Sequence, residues 1–177
     1  MKDLKEYVIP VGRLGLGVHQ FAFEADWSFF QHFENSPVDQ GRFDVQVALD
    51  KDHDHWLATF EVKGMTDTAC DRCLAPISLP ISGSYVLIVK FEDEEQQETE
   101  DSDVVYVARD THTWNVAQYI YEFILLSIPV QKTYDCEEEN PPPCDFDALD
   151  RLEDFEEESE MKSNDFSEAL RNIELKK

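Results

Sequence analysis

This chain is short of positive charge. Fifteen Lys and Arg residues stand against 39 Asp and Glu in 177 residues, a formal net charge of −24 at pH 7. Phosphates would be repelled at long range, so naked nucleic acid is not expected as a direct partner and basic proteins are favoured. Long hydrophobic runs are missing too. The longest apolar stretch, Phe123 to Val130, is interrupted by Ser127 and Pro129, well short of the ~20 residues that span a bilayer. Met1 to Tyr7 is charged and has no apolar core of a signal peptide. These absences predict a soluble, cytoplasmic protein with no membrane partner. No G-x-S-x-G, H-E-x-x-H or phosphate-binding loop occurs, so nothing in the sequence asks for an enzyme. Gly12, Gly15 and Gly17 follow the order G-x-x-G-x-G. That is not the dinucleotide fingerprint, and it reads as a turn.

What is present supports a globular body. The hydrophobic fraction is 42% and the aromatic fraction 12%, in a chain long enough to bury a core. The acidic excess is concentrated in two stretches: eight acids without a base from Glu92 to Asp103, and thirteen more from Asp135 to Glu160 offset only by Arg151. Like-charge blocks of this kind stay solvated and disordered. They act either as a solubilising surface or as arms that capture a basic partner.

Between these blocks the pattern is that of strands and one helix. Glu6 to Val11 reads as a short strand. His19 to Ala25 alternates and reads as a second. Asp26 can cap a short helix carrying Trp27, Phe30 and Phe33 on one face. Phe43 to Leu49 and Trp56 to Val62 alternate on either side of the polar turn Asp50 to Asp54, which predicts a hairpin. Ile77 to Phe91 adds one long strand, or two broken near Gly83, and Val104 to Val107 adds another. Thr113 or Asn115 opens a helix that runs through Ser127 and is closed by Pro129. Apolar on nearly every side, it is expected to be buried, in a core with Phe43, Val45, Trp56, Phe60, Val86 and Ile88. The predicted fold is α+β: a predominantly antiparallel sheet packed on one buried helix, with an acidic, partly disordered C-terminal arm. Residues 1–134 form the globular domain and 135–177 the arm. Within the arm a weak helical stretch is expected from Phe146 to Phe155. Phe166, Ala169 or Leu170, and Ile173 mark a short terminal helix, marginal alone.

Four cysteines supply the one chemically specific pattern. Cys70-Asp71-Arg72-Cys73 places two thiols on a tight turn between strands, as in half of a tetrahedral zinc site. Cys136 and Cys144 supply the other half, at a wider spacing across three prolines. A four-thiolate site of this kind is closed and structural, since it leaves no coordination position for a substrate. In a reducing compartment, metal is favoured over disulfides. Two idle thiol pairs are the plainer alternative, and redox chemistry at Cys70 and Cys73 is a third. His53 and His55 with Asp50, Asp52 and Asp54 cluster at the hairpin tip, where exposed turns accumulate such residues anyway.

These segments also carry a resemblance. Cys70-Asp71-Arg72-Cys73-Leu74, the strand ending Leu87-Ile88-Val89-Lys90-Phe91, and the run from Asn115 to Pro129 resemble the YceD family, in its Bacteroides-type branch. Glu168-Ala169-Leu170-Arg171-Asn172-Ile173 is similar to the family's closing segment, with Asn164-Asp165-Phe166-Ser167 in place of the usual Asp-Pro-Arg-Trp. The resemblance implies a non-enzymatic factor in accumulating or processing large-subunit (23S) ribosomal RNA and in ribosome biogenesis, with no catalytic residues. It implies metal-binding cysteines. It also points to a basic ribosomal protein as partner, with L32 the candidate, or a pre-50S particle. A generic acidic chaperone or nucleic-acid mimic is the rival reading, and a metal-dependent hydrolase the third.

Overall fold

A computed structural model describes residues 4–38, 40–91, 103–133, 136, 141–152 and 155. The chain divides into two compact units, Met1–Thr68 with Ser78–Val130, and Ala69–Ile77 with Gln131–Lys177. Most of the acidic stretch from Glu92 to Asp103, and the predicted terminal helix around Phe166 to Ile173, lie outside the described residues.

The first unit is built on long strands. Strands β2 (Gly17–Asp26), β3 (Gln40–Lys51), β4 (His55–Ala69), β5 (Pro76–Phe91) and β6 (Val104–Val107) form a five-stranded sheet in that order, after β1 (Val8–Ile9). β1 pairs with β7 (Trp114–Asn115) in a separate two-stranded ribbon. Period-two alternation sets the register. Phe21, Phe23 and Ala25 of β2 stand opposite Val47, Val45 and Phe43 of β3. Val45, Val47 and Leu49 then face Val62, Phe60 and Ala58 of β4. The buried apolar positions thereby fall on one face, while Asp44 and Lys63 oppose each other on the other face. The fold is α+β and dominated by its sheet, as the sequence predicts. β6, however, runs parallel to β5, so the sheet is mixed at that edge.

The helix α2 (Ala117–Ser127) buries Ala117, Ile120, Phe123 and Ile124. Asn115 precedes it, and its carboxamide oxygen accepts the Ala117 N–H at 2.9 Å, satisfying one donor at the helix start. The Phe123 ring lies 5.0 Å from that of Phe60 and stacks on Tyr85 at 4.6 Å. The Tyr85 hydroxyl reaches Ser127 Oγ at 3.1 Å. Two expectations change. The helix is one-sided and not buried all round, because Leu126 is 67% exposed and Gln118 donates to Glu122 at 2.7 Å on the solvent side. Val86 and Ile88 lie on the outer face, with Leu87 and Val89 buried instead. Tyr85 to Val89 is apolar throughout, and the phase is carried only by the exposed residues that flank it, Ser84 and Lys90. β5 is the single long strand of the two alternatives, continuous through Gly83.

Asp26 caps α1 (Trp27–Phe30), its carboxylate accepting the Ser28 N–H at 2.9 Å. The face that α1 buries is Phe29 and Phe30, not Trp27, which is exposed. Of the strand expected over Glu6 to Val11 only Val8–Ile9 is extended, and Leu4–Tyr7 and Val11–Arg13 form 3-10 turns on either side. Tyr7 is buried there, and its hydroxyl donates to the Glu24 carbonyl at 2.7 Å. Burial, then the negative charges of Asp26, Glu6 and Glu24, push its phenol up to about 12.

Two outcomes are expected. A Cβ on Gly64 would collide with the Arg42 carbonyl and the Phe43 ring, whereas Gly15 has open space around it. Gly64→Ala is therefore expected to destabilise by about 1–3 kcal/mol, and Gly15→Ala to leave the urea midpoint nearly unchanged. The neutral Tyr7 phenol is favoured in the fold, so its contribution is whole below pH 10 and is lost as pH rises toward 12. Urea midpoints across that window are expected to fall more steeply for the unsubstituted protein than for Tyr7→Phe, a difference of up to about 2 kcal/mol.

Candidate functional site

The four cysteines belong to one compact unit, the second. Its first segment is a turn that closes on itself. Cys70 N–H donates to Ala75 O at 2.8 Å, and Leu74 N–H returns to Cys70 O at 2.9 Å. Leu74 takes a left-handed backbone with φ of 60°, a conformation that costs a side-chain-bearing residue energy and marks a tightly specified turn. Its side chain points to solvent, while Cys70 and Cys73 are only 4% and 3% exposed. The sequence C-x-x-C thus has the local consequence expected of it: both thiols sit on the inside of a turn.

The second segment is fastened to the first through the backbone and the carboxylate of Asp71. Asp71 N–H donates to Lys132 O at 2.8 Å, and Lys132 N–H donates to Asp71 Oδ2 at 2.7 Å. A few residues on, Cys136 and Cys144 are joined through their sulfurs, with Cα atoms 6.7 Å apart. Cys144 and Leu149 pack against Cys70, Cys73, Ala75 and Ile77 in a small apolar cluster. Helical backbone at residues 146–152 begins directly after Cys144. Asp145 opens it, its carboxylate accepting the Ala148 N–H at 3.1 Å and its carbonyl the Leu149 N–H at 3.2 Å.

The structure therefore brings Cys70, Cys73 and Cys144 together and holds Cys136 on Cys144. Among the described residues, no three His, Cys, Asp or Glu side chains stand grouped as a set of metal ligands. That statement covers His53 and His55 with their neighbouring aspartates. At the hairpin tip, the Asp52 carboxylate instead accepts the His53 N–H at 2.7 Å.

Sequence reasoning missed Asp71, Lys132, Leu74 and Asp145. An Asp three residues before the Ala148 amide is a readable capping signal. The Asp71–Lys132 bonds, one between backbone groups and one to the Asp71 carboxylate, join residues 61 apart and leave no trace in composition or spacing.

No helix among the described residues is long and apolar enough to cross a membrane. No curated protein and no solved structure shows significant similarity to the chain. The profile of one protein family, described as Large ribosomal RNA subunit accumulation protein YceD, matches residues 58–174. That span takes in most of β4, all of β5, β6 and α2, and all four cysteines. With well over half of its length matched, the chain belongs to the YceD family, and its role lies in the accumulation of large-subunit ribosomal RNA.

Proposed function

We propose that the protein is a non-enzymatic factor of large-subunit assembly, acting in the cytoplasm by holding a basic ribosomal protein, with L32 the candidate, or a pre-50S particle. Membership of the YceD family supplies the pathway. The observation that carries the mode of action is charge: −24 over 177 residues, with more than half of the acids packed into two stretches. A lysine- and arginine-rich protein meets such a surface quickly at low salt, and the attraction is screened as salt rises. Ribosomal RNA, with its denser negative charge, would then take the protein over. The Bacteroides-type placement rests on the sequence resemblance to that branch.

The cysteines are proposed to hold one structural zinc ion. Four sulfur donors in one compact unit, two of them buried in a preformed turn and a third packed beside them, match the donor chemistry of a closed tetrathiolate site. In this reading Cys136 and Cys144 are reduced, and Cys70, Cys73, Cys136 and Cys144 are the ligands. When bound, the ion supplies cross-linking and no reaction. Its ligands must be thiolates, so affinity falls with acidification.

Cells lacking the protein are expected to accumulate large-subunit precursor RNA and lose mature large subunits in ribosome profiles. Unchanged precursors, together with binding to many basic proteins alike, would establish the generic acidic chaperone instead. Protein purified under reducing conditions is expected to contain one zinc ion per chain by elemental analysis and to lose it in Cys70→Ser and Cys144→Ser. A zinc-free protein with only two titratable thiols after denaturation without reductant would replace the metal site by a Cys136–Cys144 disulfide.

A further inference from the structure

The five-stranded sheet of the first unit ends on one side at β2, and no strand among the described residues pairs with the outer side of β2. Backbone bonding fixes which groups are left over there. At the hairpin tip the Asp52 N–H donates to the His55 carbonyl at 3.1 Å, so these two form a bonded pair. Bonded pairs alternate along an antiparallel ladder, so the even-numbered residues of β3 bond to β4 and its odd-numbered residues to β2. The even-numbered residues of β2 therefore turn their N–H and C=O groups outward. One of these groups is already in use: the Glu24 carbonyl accepts the Tyr7 hydroxyl at 2.7 Å. At the other end Gly17, with a φ of 109°, takes the chain out of its extended course before Val18. The open stretch is Val18 to Ala22, with Gln20 at its midpoint. We propose that two copies of this chain join their sheets here, β2 against β2, antiparallel and centred on Gln20.

Proteins usually guard such an edge by keeping it short, or with lysine, proline or a bulge. β2 is 10 residues long, its register with β3 runs without a bulge, and Leu14 to Phe23 contains no Asp, Glu, Lys, Arg or Pro. The opposite edge, β6, has only 4 residues. The residues of the open stretch select a second copy as its occupant. Centring on Gln20 sets that residue against Gln20 of the second copy, and sets Val18, 63% exposed, against its Ala22. Each facing pair exchanges both N–H···O bonds, and none opposes like charges. On the inner face Phe21, half-buried at the open edge, comes opposite His19 of the second copy. The two ends are complementary in charge as well. Exposed Arg13 precedes the open stretch and exposed Glu24 follows it, so antiparallel strands bring the basic end of each copy toward the acidic end of the other. A basic polypeptide would find no carboxylate between Val18 and Ala22 to recognise. The repulsion between two chains at −24 decays over the Debye length, about 8 Å at physiological salt. Because the same strand serves both copies, the contact closes as a dimer.

The test is sedimentation equilibrium of the full chain at physiological salt, with amide hydrogen exchange read by NMR on the same samples. A dimer with a Kd on the order of 100 µM is expected, as befits a small interface. Exchange at the Val18, Gln20 and Ala22 amides is expected to slow as protein concentration rises. Gln20→Pro deletes an N–H that the fold of one copy does not use, so it should fold normally and weaken dimerisation at least ~10-fold. Gln20→Lys and Gln20→Glu change an exposed side chain and place like charges face to face. Each alone is expected to dimerise ~3-fold more weakly, and the two mixed to associate at least as tightly as the unsubstituted chain. A protein that stays monomeric at ~1 mM, or mixed variants no tighter than each alone, would overturn the proposal. So would exchange that slows at these amides only when a lysine- and arginine-rich peptide is added, which would assign the edge to a basic partner.

Discussion

Everything in the first unit depends on the phase of alternation along β3. Phe43, Val45, Val47 and Leu49 face the core, and Asp44, Gln46 and Asp50 face water. A slip of one residue would exchange these sets and bury two carboxylates. The neighbours allow no such slip. Gly64 lies opposite Phe43, where any larger residue would strike the ring, so side-chain chemistry and backbone clearance specify the same register. Among the described residues the buried polar side chain is Thr66, whose hydroxyl donates to Gln40 O at 3.0 Å. A chain with so many acids keeps all of those described out of its core.

That phase was legible wherever polar and apolar residues alternate. The hairpin of β3 and β4, the capping role of Asp26, and α2 all follow from spacing that elementary rules can read. Legibility failed where alternation stops. In Tyr85 to Val89 no polar residue marks the outside, and the inward set was assigned one position off. The parallel course of β6 is a matter of chain path, which four apolar residues do not encode. Trp27 misled for a different reason: its size argues for burial, while a four-residue helix has room to bury only one pair, Phe29 and Phe30.

The candidate site divides the same way. The C-x-x-C turn is local, so its two sequestered thiols could be foreseen from six residues. Its partners are remote. Cys136 and Cys144 were expected to supply the other half of a site despite their wide spacing, but nothing indicated that Asp71 would meet Lys132. The packing of Tyr7 on Phe23 and Phe29 left no trace in the sequence, because it forms only once the 3-10 turn lays Tyr7 across β2.

The self-closing turn at Cys70 also bears on the order of synthesis. Its two hydrogen bonds link residues no more than five apart, so the turn can form as soon as it leaves the exit tunnel. Residues 131–144 follow some sixty positions later, a delay of roughly 3–12 s at ordinary elongation rates. During that interval the turn lacks Cys144 and Leu149, which complete its apolar cover, so its thiols are less covered than in the finished fold. The late-arriving segment then closes over a turn whose backbone is already set.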